Sequence, residues 1–215
     1  LVSNLSLSFY NNVIYLNNFS FVFTIFCIII LINALNFYDG INGQSCFYFL
    51  TVFLYLLISS KRYEFYIFII AILVFLLILN LMNRLFLGDN GIYIFSIIIS
   101  VALIYEHNDH KNIVYADEIF LLLLLPGLDL LRLTITRLFN SKNPFYGDKN
   151  HIHHLLLNKF SLLNTNLILI ILGISPIVFF NLFKFNFFLV FFIFFAIYIL
   201  LIRSLNFDDK KYNHR

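Results

Sequence analysis

The chain has 215 residues, of which 61% are hydrophobic and only 12% charged; its net charge is +3 and its mean hydropathy +0.91. A soluble globular domain carries about 25% charged residues, so that class is excluded. The apolar stretches are long and do not alternate, which excludes an outer-membrane barrel and leaves an all-α, polytopic transmembrane helix bundle in one domain.

Residues 1–18 precede the first apolar run; seven spans and a cytoplasmic tail make them an extracytoplasmic N-terminal segment, although they contain no basic n-region and start with Leu. About seven spans follow, at 19–37, 46–60, 64–82, 91–105, 114–131, 162–181 and 185–202. The transmembrane domain is 19–203, and 204–215 is a tail. Pro126-Gly127 interrupts the fifth span, a break that neighbouring helices can re-satisfy. Cys27 and Cys46 lie in or beside apolar runs and read as buried thiols rather than a disulfide. No internal repeat is visible.

Three polar clusters interrupt this apolar chain. The first is Asn33, Asn36, Asp39, Gly40, Asn42 and Gly43. Its first three members are three residues apart, along one side of a helix end, and Asp39-Gly40 and Asn42-Gly43 are turn dipeptides. A helix C-terminus followed by a polar turn accounts for it blandly. Polar groups at membrane depth are costly, however, and a carboxylate flanked by amides suits a sugar nucleotide or hydrated Mg²⁺.

The second cluster is Gly88-Asp89-Asn90-Gly91, preceded by Asn80, Asn83 and Arg84. Glycines on both sides let a ligand approach Asp89, and Mg²⁺ is held by one or two carboxylates plus substrate phosphates. An N-cap for a helix starting at 91 is the bland alternative, and a helix N-terminus itself favours anions.

The third cluster extends from Asp129 to His154. Asp129 and Arg132 stand i,i+3 as a helix-surface pair, Arg137 follows, and Asp148-Lys149-Asn150-His151-Ile152-His153-His154 opens an apolar segment. Metal chelation, solvated loop histidines and phosphate or nucleotide contact are the three readings, and the last is favoured because no cysteine lies nearby to complete a zinc set.

Alternate loops divide the basic residues ten to four. Arg84, Arg132, Arg137, Lys142, Lys149, Lys159, Arg203, Lys210, Lys211 and Arg215 face Lys61, Arg62, Lys111 and Lys184. The positive-inside bias makes the first set cytoplasmic, and all three polar clusters fall on that side.

Asn-Ala-Leu-Asn-Phe-Tyr-Asp-Gly-Ile-Asn-Gly at 33–43, Phe-Leu-Gly-Asp-Asn-Gly at 86–91 and Asn-Pro-Phe-Tyr-Gly-Asp-Lys-Asn-His-Ile-His-His-Leu-Leu at 143–156 occur in that order. Together they resemble the polyprenyl-phosphate N-acetylhexosamine-1-phosphate transferases of glycosyltransferase family 4. The His-Ile-His-His form resembles the undecaprenyl-phosphate GlcNAc-1-phosphate branch more than the muramyl branch.

The resemblance implies attack of a lipid phosphate on the β-phosphate of a UDP-N-acetylhexosamine, giving a polyprenyl-diphospho-sugar and UMP, with Mg²⁺, or Mn²⁺, as cofactor. It implies Asp39 and Asp89 as catalytic residues, Asp89 as the metal ligand, and Asn33, Asn36, Arg132, Arg137, Asp148, His151, His153 and His154 as substrate-binding residues. The implied partners are polyprenyl phosphate, the UDP-sugar, the membrane and a second copy of the chain, without nucleic acid. The implied setting is a bacterial inner membrane, with the active face cytoplasmic and a role in cell-wall or surface polysaccharide synthesis.

The chain departs from the family pattern in three ways. No Asp-Asp pair precedes residue 38, Asn42 stands where many relatives have Asp, and Lys149 stands where many have Arg. The missing pair and the outward N-terminus without a signal lead to the expectation that upstream helices are absent and the chain is a fragment. A non-catalytic membrane remnant or assembly subunit is therefore the rival reading. A transporter is disfavoured, because the ionisable residues gather at span ends rather than in mid-span.

Overall fold

A computed structural model describes residues 1–109, 114–141, 143 and 150–212. It starts with an antiparallel hairpin, β1 (Asn4–Leu7) and β2 (Tyr10–Tyr15), inside the stretch read from sequence only as an extracytoplasmic N-terminal segment. Nine helices follow among the described residues: α1 (Ser20–Tyr38), α2 (Gln44–Ser59), α3 (Tyr63–Leu81), α4 (Gly88–Asn108), α5 (Ala116–Leu122), α6 (Leu124–Phe139), α7 (Ile152–Leu157), α8 (Leu162–Phe183) and α9 (Phe187–Tyr212).

The chain is an all-α, multi-pass membrane bundle with a small β-hairpin attached. Five helices are long and apolar enough to cross a membrane alone, and the bent pair α5–α6 makes a sixth. Of the seven predicted spans, the second is the weakest: α2 has 16 residues and is only ~24 Å long. Large apolar side chains such as Ile58, Phe75 and Leu182 point outward. That arrangement is stable where the surroundings are hydrocarbon, because a membrane helix has no need of a polar face.

The break in the fifth span falls at Leu123, not at Pro126-Gly127, and bends the pair by 67°. Proline has no N–H, so Pro126 cannot bond the Leu122 carbonyl four residues back, and its ring disfavours a continuous helix there. The freed Leu122 carbonyl accepts a 3.1 Å hydrogen bond from the Tyr48 hydroxyl of α2. Beyond the bend, helix continues to Phe139, so Arg132 and Arg137 belong to α6 rather than to the long loop predicted from residue 132. Leu133 and the buried face before it keep the helical period, which explains the extension.

Helix α1 packs against α4 and α6, while α2 packs against α3, α4 and α8. The core between them holds Leu35, Phe49, Val52, Phe53, Leu73, Ile99 and Leu121. The end of the bundle that carries the hairpin is closed by polar contacts. Glu106 of α4 is fully buried and accepts from Ser60 Oγ at 2.9 Å, Arg62 Nη1 at 2.8 Å and Tyr66 Oη at 2.7 Å. Arg62 also reaches Asp109, and the hairpin is held by Asn108 and by bonds from Ser8 to Asp117. These contacts fix the α2–α3 and α4–α5 connections at one end, so the α1–α2 turn and the α3–α4 connection lie at the other.

Candidate functional site

The turn between α1 and α2 is the hub. Helix α1 stops at Tyr38 because Asp39 takes an extended backbone, and α2 starts after Gly43, whose φ of +88° is left-handed and suits glycine. The backbone N–H of Gly43 donates to Asn80 Oδ1, and Asn80 Nδ2 in turn donates to the Leu85 carbonyl at 2.9 Å. Asn42 bonds Asn83 through its side chain, and its carbonyl accepts from Asn166 Nδ2 at 2.9 Å. One five-residue turn is thereby tied to the end of α3, the α3–α4 connection and the start of α8.

Two carboxylates share this region. Asp39 is half-buried and accepts from Ser45 Oγ at 2.6 Å. Burial pushes its pKa above the usual carboxylate range; the Ser45 hydroxyl pulls it back, and the charge of Asp89 pushes it further up. Asp89 is exposed in the first turn of α4, where the helix dipole favours a negative charge. The charge of Asp89 is therefore felt at Asp39. Asn36 and Asn33 lie about one and two turns earlier along α1: Asn33 bonds back to the Ile29 carbonyl at 2.8 Å, and Asn36 donates to the Tyr93 hydroxyl of α4 at 2.8 Å.

The histidine run closes over the same turn. His153 is buried against Gly40, so closely that a Cβ at Gly40 would lie 1.9 Å from its Nε2. Its Nδ1 is 3.3 Å from Gln44 Nε2, which makes Nδ1 the acceptor. Burial, with His154 and His151 beside it, holds the pKa of His153 down to about 3, so the ring is neutral at physiological pH. His151 stacks on His153 with ring centroids 5.4 Å apart, and on Phe37 of α1 at 5.9 Å. His154, half-buried, packs against His153 at 4.2 Å.

Asp129 and Arg132 pair in the interior rather than on a helix surface, with Asp129 buried and Arg132 partly buried. Asp129 is 2% exposed and accepts from Arg132 Nη2 at 2.7 Å, Tyr198 Oη at 2.8 Å and His151 Nδ1 at 3.0 Å. Arg132 also donates to the Tyr198 hydroxyl at 2.8 Å and to the Asn150 carbonyl at 2.6 Å. Arg137 is buried, with its guanidinium 5.5 Å over the Phe37 ring and its Nη2 3.5 Å from His151 Nε2.

Asn33, Asn36, Asp39, Asp89, Arg132, Arg137, His151, His153 and His154 thus surround one end of the bundle, with Asp39 and Asp89 on its open side; Asp148 lies outside the described residues. Sequence reasoning singled out Asn80 beside the second cluster but passed over Gln44, Ser45, Asn166 and Tyr198. Gln44 and Ser45 were signalled by standing immediately after Asn42-Gly43. Tyr198 had no signal inside an apolar run.

Among the described residues, no group of three or more His, Cys, Asp or Glu side chains could hold a metal alone. Exposed Asp89, whose charge reaches Asp39, suits a hard divalent cation that takes its remaining oxygens from water and phosphate.

Residues 1–107, which include the first two clusters, match the family described as glycosyl transferase family 4. No curated protein and no solved structure matches the chain.

Proposed function

With glycosyl transferase family 4 as the premise, we propose that the chain transfers N-acetylhexosamine 1-phosphate from a UDP-sugar to a polyprenyl phosphate. An oxygen of the lipid phosphate attacks the β-phosphorus of the UDP-sugar. The bond from that phosphorus to the oxygen bridging the two phosphates breaks, and UMP leaves with the bridging oxygen. The products are polyprenyl-diphospho-N-acetylhexosamine and UMP.

Phosphoryl transfer needs positioning and charge neutralisation more than covalent chemistry. Asp89 would hold Mg²⁺ or Mn²⁺, which when bound neutralises charge on the phosphate oxygens. Asp39, with its raised pKa, is suited to take the proton of a lipid phosphate monoanion. Asn33 and Asn36 offer amides beside it for the sugar nucleotide. The His151–His154 segment and Arg137 form the wall that receives the nucleotide-sugar, and Arg132 holds that wall to α6 and α9. The proposed setting is the inner membrane of a bacterium, with this end cytoplasmic as the charge asymmetry supports, and the product feeds cell-wall or surface polysaccharide synthesis.

One observation carries this reading: Asp89 from α4 and His153 from α7 converge on the Asp39-Gly40 turn. The test is a transfer assay with UDP-GlcNAc, undecaprenyl phosphate and Mg²⁺, scored by lipid-linked product and UMP. Metal-dependent product supports the transferase. UDP-sugar binding without product would favour a non-catalytic membrane subunit instead.

A further inference from the structure

Four groups donate to one buried carboxylate. Asp129 takes Arg132 and Tyr198 on Oδ1, His151 Nδ1 on Oδ2, and the backbone N–H of Ile152 at 3.3 and 3.4 Å from its two oxygens. Burying a carboxylate costs several kcal/mol unless it is paired and hydrogen-bonded, so a site this fully supplied with donors has a single stable arrangement. Every partner is a donor, and an ionised carboxylate is an acceptor only.

His151 is the partner whose chemistry depends on this arrangement. An imidazole that donates from Nδ1 to a carboxylate keeps its proton there and leaves a lone pair on Nε2. The group facing that Nε2 is itself a donor, Arg137 Nη2 at 3.5 Å. A ring protonated on Nε2 would set N–H against N–H at Arg137 and leave Asp129 facing a bare nitrogen. Ring stacking on Phe37 and His153, with interplanar angles of 17° and 12°, prevents the ring from swinging out to escape.

We propose that Asp129 is a positioning residue, which locks His151 in the Nδ1–H tautomer and thereby directs its Nε2 lone pair at Arg137. His151 is then a neutral bridge between Asp129 and Arg137 that aligns the wall of the site. Its place in catalysis rests on the transfer reaction proposed above; the tautomer itself does not. Tyr198 and Arg132 also donate to Asp129, from α9 and α6, so the apolar last helix touches the carboxylate that orients His151.

The test is nitrogen-15 NMR of the full chain in lipid nanodiscs with labelled histidine, in which the His151→Gln variant identifies the His151 signals by their loss. At neutral pH the expected pattern is a pyrrole-type Nδ1 and a pyridine-type Nε2. Asp129→Asn replaces one acceptor oxygen by a donor, and the expected result is a loss of that pattern towards the Nε2–H form or a mixture. Tyr198→Phe keeps the bond between His151 and Asp129, so it should keep the tautomer and controls for general loosening. A wild-type His151 protonated on Nε2, or on both nitrogens, overturns the proposal even if Asp129→Asn fails to fold. A folded Asp129→Asn chain with an unchanged His151 pattern overturns it too. In the transfer assay Asp129→Asn should lower kcat at least tenfold. A wild-type chain without transfer activity counts against the proposed function and leaves the NMR result to decide on the tautomer.

Discussion

A Cβ at Gly40 would lie 1.9 Å from His153 Nε2 and within 2.6 Å of two carbons of the same ring. His153 is 1% exposed and cannot retreat cheaply, so Gly40→Ala should displace the histidine segment from the turn. The expected outcome is loss of UDP-sugar binding with the helices retained, checked by ligand titration beside circular dichroism. Asp89→Asn removes a charge at constant size and should lower UMP release about 100-fold or more, as loss of a transition-state electrostatic contact does. Near-normal turnover with unchanged Mg²⁺ dependence would remove Asp89 from the site. Ser45→Ala addresses Asp39. The Ser45 hydroxyl favours the ionised carboxylate, so without it the pKa of Asp39 rises further. If catalysis needs Asp39 ionised, the acid limb of the rate profile should move to higher pH. A shift to lower pH, or none, would show that Asp39 does not set that limb.

Among the elements, the α5–α6 bend is where local chemistry and packing divide the labour. Pro126 dictates that a carbonyl must go unpaired within the helix, and Tyr48 from α2 supplies the donor that the Leu122 carbonyl lacks. Tyr48→Phe keeps the ring in the core and removes only the hydroxyl. It should cost about 1–3 kcal/mol, the price of a buried unsatisfied carbonyl, and appear as a lower Tm with unchanged helix content. An unaltered Tm would mean that the carbonyl finds another donor. The bend also explains why the sequence put the break three residues late. Proline marks the residue that lacks the N–H, whereas the chain deforms at the preceding turn that needed it. The hairpin was overlooked although β1 alternates polar and apolar residues as Asn-Leu-Ser-Leu: its strands are only four and six residues long, and they are held by Asn108 and Asp117, about a hundred residues away in the chain.

For the whole molecule, the prediction is orientation. With Cys27 and Cys46 replaced by Ala, a cysteine at Asn143 should be protected from a membrane-impermeant thiol reagent in intact cells, and one at Asn186 should react. Both positions are exposed, and they flank α8 on opposite ends. The ten-to-four division of Lys and Arg sets the expected direction. The reverse labelling pattern would put the Asp39–Asp89 end outside and remove access to a cytoplasmic UDP-sugar.

Hydropathy alone determined the class, the approximate helices and the grouping of three polar clusters at one end, because hydrocarbon forces long apolar helices and expels charge to their ends. Asp39, Asp89 and the histidine run were legible as candidates, because Asp-Gly and clustered histidines are rare in such a chain. Their working relations were not. That His153 rests on Gly40, that Asp89 acts on Asp39 through space, and that Tyr198 and Asp129 hold His151 are contacts between residues from 22 to 113 positions apart, read from the numbering of the pairs. Sequence spacing carries no information over that range, since only the packing of α1 against α4 and α6 brings those side chains within reach.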